Sequence, residues 1–218
     1  EEGFASFAWQ GRAVRLNYRG RHNVRNALLV LGVGVEWGID AEAAVAALAV
    51  VAPEKLRSEV RRIGAITVIA DCYNSNPESL AAAVDLLEAM PRRGGRVAVV
   101  GSMLELGAES GALHRRAAEQ LAASCVDLIV ATGEFVEAFR PLAPQLGERL
   151  VLAADPLEAY PALAERLRGG ETVLLKGSRG VALERLVPLF ERDWAGPAGR
   201  GTGNRSGAGN AAAPGRGE

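Results

Sequence analysis

Between residues 66 and 192 the sequence repeats one alternation: a short run rich in β-branched residues, a polar or glycine-bearing turn, then a longer stretch with helical spacing. Residues 66–71, 96–101, 127–132, 149–153 and 172–176 read as strands. Residues 77–90, 112–123, 134–142, 156–168 and 181–192 read as helices. Strands separated by helices pair in parallel through right-handed crossovers, which predicts an α/β fold with a Rossmann-like, doubly wound, mostly parallel sheet. Ligands of such sheets collect at the carboxyl ends of the strands. The loops expected there carry residues 73–76, 102–107, Gly133 and 176–180.

The stretch before this alternation has a different pattern. Residues 4–9 and 12–18 alternate apolar and polar about Gln10-Gly11, as two antiparallel strands at a sheet edge would. A helix is expected from the Gly20-Arg21-His22-Asn23 segment through about Val35, and Asp40 is placed to cap a short Ala-rich helix ending before Pro53. Residues 55–60 read as a charged connector. The chain opens Glu1-Glu2-Gly3 and moves straight into these strands, which reads as a piece of something longer. The tail from Ala195 to Glu218 lacks apolar periodicity and is expected to be a disordered spacer, its Arg200, Arg205 and Arg216 included. The domain division expected is therefore 1–53, 54–192 and 193–218.

Composition narrows the partners. With 49% hydrophobic residues and a net charge of -1, the chain shows no general attraction to nucleic acid or anionic membrane. No apolar stretch reaches the length of a membrane span and no secretory signal opens the chain, so a cytoplasmic protein without membrane insertion is expected. Two cysteines are too few for a metal cluster or a disulfide framework. Both read as reduced, Cys125 as a small core residue and Cys72 as a bystander in the loop that follows Asp71.

Three segments carry candidate chemistry. In Asp71-Cys72-Tyr73-Asn74-Ser75-Asn76-Pro77 an aromatic face and two amides share one short loop, although Asn76 also reads as the cap of the helix at Pro77. His22 and Asn26 share a helix face near its start, where free N–H groups suit a nucleotide; a polar cap on a packed helix fits the same residues. Lys176-Gly177-Ser178-Arg179-Gly180 joins two cations, a hydroxyl and backbone amides, which reads as a carboxylate or phosphate grip or else as a charged surface at a strand end. Gly101-Ser102-Met103-Leu104-Glu105-Leu106-Gly107 matches neither a P-loop nor a dinucleotide fingerprint. His114 reads as a polar surface residue, and no spacing suggests a metal site.

Together these segments resemble the Mur ligases, and the MurF type most closely. The matching residues are Gly20-Arg21-His22-Asn23-Val24 with Asn26-Ala27, Arg57 in Leu56-Arg57-Ser58-Glu59, Asp71 to Pro77, Gly101 to Gly107, Leu113-His114-Arg115 and Lys176-Gly177-Ser178-Arg179. Two departures stand out: Ser102 where the family has Asp, and Ser75 where it has Ala. The resemblance implies the end of a central ATPase domain in residues 1–53 and a Mur ligase C-terminal domain in 54–192, with a hinge at 53–59. It implies ATP and Mg2+ as cofactors, the metal's ligands lying upstream, and as substrates UDP-MurNAc-tripeptide and D-alanyl-D-alanine, joined through an acyl phosphate by a monomer. It places His22, Asn23, Asn26, Arg57 and Asp71 on the nucleotide, Arg57 and Lys176 in catalysis, and Tyr73, Asn74, Asn76, Lys176, Ser178 and Arg179 on substrate. His22 has a structural alternative. The other readings are a Mur-type ligase that adds a single amino acid and a non-catalytic Rossmann-like module binding a nucleotide or protein, the latter favoured by Ser102.

Overall fold

A computed structural model describes residues 4–52 and 54–196. Arg200, Arg205, Arg216 and most of the expected tail, with Pro53 of the expected hinge, lie outside the described residues.

The smaller unit is a hairpin and two helices. β1 (Phe4–Trp9) and β2 (Arg12–Arg19) pair antiparallel across Gln10-Gly11. Both turn residues have positive φ, as a tight two-residue hairpin turn requires. α1 (His22–Glu36) and α2 (Ala41–Val50) follow, with the Asp40 carboxylate accepting the Ala43 N–H as the helix cap. Val14, Leu16, Ala27 and Leu31 form the small core between them.

The larger unit is a six-stranded sheet in the order β3-β4-β8-β5-β6-β7. Its strands are β3 (Glu59–Ile63), β4 (Ile66–Asp71), β5 (Arg96–Val100), β6 (Leu128–Thr132), β7 (Leu150–Ala153) and β8 (Thr172–Lys176). All neighbours run parallel except β3, which pairs antiparallel with β4 across Gly64-Ala65. β3 corrects the charged-connector reading of 55–60. It is an edge strand whose Glu59, Arg61 and Arg62 are the charges edge strands carry against aggregation, and those charges hid it in the sequence.

The helices are α3 (Pro77–Ala89), α4 (Ser110–Ala123), α5 (Glu134–Phe139), α6 (Ala143–Leu146), α7 (Pro156–Arg166) and α8 (Leu186–Trp194). α3, α4 and α5 cover one face of the sheet with Ile69, Ala98, Ile129 and Leu174, while α7 and α8 cover the other with Val68, Val99, Val130 and Val173. Adjacent strand residues thus enter opposite cores, as pleating demands. α8 runs past the expected boundary at 192 because Trp194 is buried against the β3–β4 hairpin: a Cβ on Gly64 would meet the Trp194 carbonyl oxygen at 1.8 Å. No helix of the described residues is long and apolar enough to cross a membrane.

The cysteines reverse the expectation. Cys72 is fully buried in the α7/α8 core, whereas Cys125 is exposed, its Sγ 3.1 Å from Arg96 Nη1. Cys72 immediately follows β4 and keeps the inward direction of the strand, so packing claims it.

Candidate active site

Because β8 lies between β4 and β5, the chain segments after these three strands emerge side by side. Gly101 N–H donates to Lys176 O at 2.9 Å and Ser178 N–H to Ser102 O at 3.0 Å, continuing the ladder beyond the strands. Close approach depends on glycine here. A Cβ on Gly177 would lie 3.4 Å from Gly101 Cα and 2.8 Å from Leu183 Cδ1.

Lys176 stands at the centre. Its side chain is 2% exposed, its Nζ is 3.3 Å from Asp71 Oδ2, and it donates to Asn74 O. Burial pushes the Lys176 ammonium below the usual lysine range, and Asp71 pulls the other way. Lys176 is therefore not part of a charged strand-end surface, whereas the Arg179 side chain is exposed. Asp71 also accepts the Ser58 N–H through Oδ1 at 3.0 Å, which leaves carboxylate lone pairs uncommitted. Ser178 Oγ accepts the Leu104 N–H at 2.9 Å, and the Asn74 and Ser75 oxygens lie 3.5 Å from it.

Tyr73 is half exposed and stands between two guanidiniums, Arg57 at 4.3 Å and Arg179 at 6.0 Å from its ring centroid. Arg57 is held from behind by Glu54 Oε2 at 2.7 Å from its Nε. On either side of it Leu56 and Ser58 have φ of 62° and 50°, a left-handed conformation costly for side-chain-bearing residues. Hydrogen bonds offset that cost: Tyr73 N–H to Leu56 O, Leu56 N–H to Glu59 Oε2, and Ser58 N–H to Asp71. Of the hinge expected at 53–59, residues 56–59 are thus tied to the larger unit.

The two units face each other across this region. A cleft of about 200 Å³ is lined by Asn17 and Arg19 of β2 and by Arg57, Ser58 and Glu59. Nearby, the His22 ring folds over Gly20, where a Cβ would meet Cε1 at 2.6 Å. Asn23 Nδ2 lies 3.1 Å from His22 Nε2 and donates to Arg19 O, and Asn26 donates to Asn23 Oδ1. His22 Nδ1 is buried without a hydrogen-bond partner, and burial lowers the imidazole pKa against the opposing pull of Asp71.

The structure therefore joins Asp71, Asn74, Lys176 and Ser178 directly, with Arg57, Tyr73 and Arg179 stacked beside them. His22, Asn23 and Asn26 form a separate cluster at the start of α1. Asn76 does not join either group: its Oδ1 accepts the Ser79 N–H at 2.8 Å while Ser79 Oγ accepts the Asn76 N–H, a reciprocal cap on α3.

His114 corrects its surface reading. It is 1% exposed, its Nε2 accepts the Met103 N–H at 2.9 Å, its Nδ1 donates to Ser110 O, and Phe135 packs edge-on at 4.8 Å. It thereby anchors the loop that reaches Ser178. The signal was present in the sequence: His114, Ala117, Ala118 and Leu121 are spaced as one buried helical face. Ser102 Oγ accepts the Glu134 N–H at 2.9 Å, so this hydroxyl serves the first turn of α5. Among the described residues no group of three or more His, Cys, Asp or Glu is placed to hold a metal ion.

The same residues carry the likeness to known proteins. A UDP-N-acetylmuramoyl-tripeptide--D-alanyl-D-alanine ligase of Treponema pallidum is 39% identical over 85% of this chain and 40% of its own length. A crystal structure of MurF from Acinetobacter baumannii superposes with a TM-score of 0.77 at 30% identity, over 88% of this chain and 43% of that one. A MurF ligase from Thermotoga maritima in complex with ADP gives 0.71 at 28% identity, over 88% and 44%. The chain thus spans about two fifths of the length of the relatives it matches. The Mur ligase, glutamate ligase domain model matches residues 56–179, more than half of the chain and all three strand-end segments, and on that match the chain belongs to the Mur ligase family.

Proposed function

We propose that this chain supplies the C-terminal part of an active site that joins D-alanyl-D-alanine to UDP-MurNAc-tripeptide with ATP. The observation that carries the reading is the convergence of Asp71, Lys176 and Ser178 with Arg57, Tyr73 and Arg179 at one sheet edge. A relative that this chain matches over 40% of its length bears that ligase's name, and one of the similar structures holds ADP.

The residues fit a nucleotide. His22 Nδ1 is a buried polar atom still lacking a partner, and the Asn23 and Asn26 carboxamides beside it offer the donors and acceptors a purine edge requires. Asp71 retains lone pairs for ribose hydroxyls. Arg57 uses Nε on Glu54, and its two terminal nitrogens have no hydrogen-bond partner among the described residues, as a phosphate grip needs. ATP, when bound, supplies the phosphoryl group that activates the tripeptide carboxylate; the accompanying Mg2+ is assigned to ligands in the rest of a full-length ligase.

Lys176 holds a positive charge in a water-poor position where anionic groups must gather, which favours charge that builds during reaction. Asp71 keeps that lysine in place, and Asn74 and Ser178 fix the backbone around it. Tyr73, Asn74, Ser178 and Arg179 are the groups offered to the peptide substrates, while Asn76 caps α3. UDP-linked precursors are water-soluble, so a cytoplasmic monomer suits the reaction. The test is ADP release by a full-length ligase carrying these residues, measured against a panel of amine substrates. D-alanyl-D-alanine is expected to stimulate release and single amino acids not; stimulation by a single amino acid alone would overturn the reading.

A further inference from the structure

His114 touches none of the groups offered to nucleotide or substrate, yet its hydrogen bonds lead to them. Both ring nitrogens are engaged: Nδ1 donates to Ser110 O at 2.8 Å, which leaves the Nε2 lone pair to accept the Met103 N–H at 2.9 Å. Ser110 is held in turn, its Oγ donating to Glu134 Oε2 at 2.6 Å. The next amide of the loop is committed to the site. Leu104 N–H donates to Ser178 Oγ at 2.9 Å, and Ser102 O accepts the Ser178 N–H at 3.0 Å, so one loop clamps Ser178 at both hydroxyl and backbone. With a lone pair taken by Leu104, the Ser178 hydroxyl hydrogen is left to face Asn74 Oδ1 and Ser75 O, each 3.5 Å away, and Asn74 O accepts from Lys176 Nζ. The loop does not take this shape by preference. Glu105 has a φ of 66°, a left-handed conformation that persists only where surrounding bonds enforce it.

We infer that His114 is a positioning residue of the ligation reaction: its Nε2 lone pair sets the loop at 103–105 and, through that loop, the placement of Ser178, Asn74 and Lys176. The Met103 and Leu104 amides belong to consecutive peptide planes joined at one α-carbon, so losing the first bond releases the second. A displacement of about 1 Å at reacting groups can cost a rate on the order of a hundredfold, even when the altered residue lies away from the chemistry. The inference rests on the ligase reading and adds to it a buried group that acts on the site without touching substrate.

The test is kcat per folded molecule, read as D-alanyl-D-alanine-dependent ADP release by a full-length ligase carrying these residues, for His114→Gln and His114→Asn. The Gln side chain reaches the position of Nε2 and keeps an acceptor for the Met103 N–H, whereas Asn reaches only that of Nδ1. Both remove the buried ring, so a role in stability alone moves the two together. Positioning predicts that Gln keeps kcat within about threefold of the unmodified enzyme and that Asn lowers it by about tenfold or more. Equal retention, equal loss, or retention by Asn alone would each overturn the positioning role and leave the ligase reading standing. An unmodified enzyme that releases no ADP with the dipeptide ends both. If the Asn variant does not fold, Ser178→Ala decides. Freeing the Leu104 N–H from the site side is then expected to speed hydrogen exchange at Met103 by about tenfold or more, and unchanged exchange at Met103 would break the path from His114 to the site.

Discussion

The larger unit buries whole strands: every residue of β6 and β8 is buried, and two separate cores close over the sheet. In the smaller unit α2 buries no residue, and Leu29, Trp37 and Val50 are 70%, 80% and 78% exposed. One unit is held by its own packing; the other shows the apolar surface that packing partners cover. The difference extends to function. Candidate groups in the larger unit are cross-linked by buried hydrogen bonds and an ion pair, whereas His22, Asn23 and Asn26 bond mainly among themselves and leave a buried nitrogen unsatisfied. A rigid half thus faces a half that retains unmet bonding capacity.

The strongest way to break this contrast is Asp71→Asn. It strands the buried Lys176 charge and is expected to cost about 3–5 kcal/mol in chemical denaturation. A loss below about 1 kcal/mol would mean that the pair is not buried as described. Next is a matched pair of truncations. Leu174→Ala should cost about 2–5 kcal/mol and move the main unfolding transition, since Leu174 belongs to the largest core. Leu31→Ala should move only an earlier transition of the smaller unit; a single shared shift for both would show that the units unfold as one.

His114→Ala removes the acceptor of a buried N–H and is expected to cost about 1–3 kcal/mol, with hydrogen exchange rising at Met103 and Leu104. Unchanged exchange there would detach His114 from the loop. The smallest effect concerns the thiols. Burial pushes the Cys72 thiol up to about 12, so near pH 8 it carries almost no thiolate, while exposed Cys125 is accessible. Iodoacetamide on the folded protein should label Cys125 alone, read by peptide mass spectrometry; labelling of Cys72 would contradict its burial.

The five parallel strands were legible because consecutive apolar residues buried on both faces leave a plain mark in sequence. β3 was not, since an edge strand carries the charges of a loop. The convergence of the Asp71 and Lys176 loops was also legible, because parallel strands deliver their carboxyl ends to one edge whatever their order. Burial of individual polar groups was harder to see. Whether Lys176 ends in water or against Asp71 depends on a neighbour roughly a hundred residues away, and Asn76 as cap differs from Asn76 as ligand only in where Ser79 sits.

The most direct measurement compares ADP release by a full-length ligase carrying these residues with that of its Lys176→Met variant, at saturating ATP, UDP-MurNAc-tripeptide and D-alanyl-D-alanine. A preorganised charge at the reacting groups predicts a fall in kcat of about a hundredfold or more, with the protein still folded. A variant that folds and turns over at the unmodified rate would show that the buried lysine is structural alone, and the strand-end cluster would lose its claim to the chemistry.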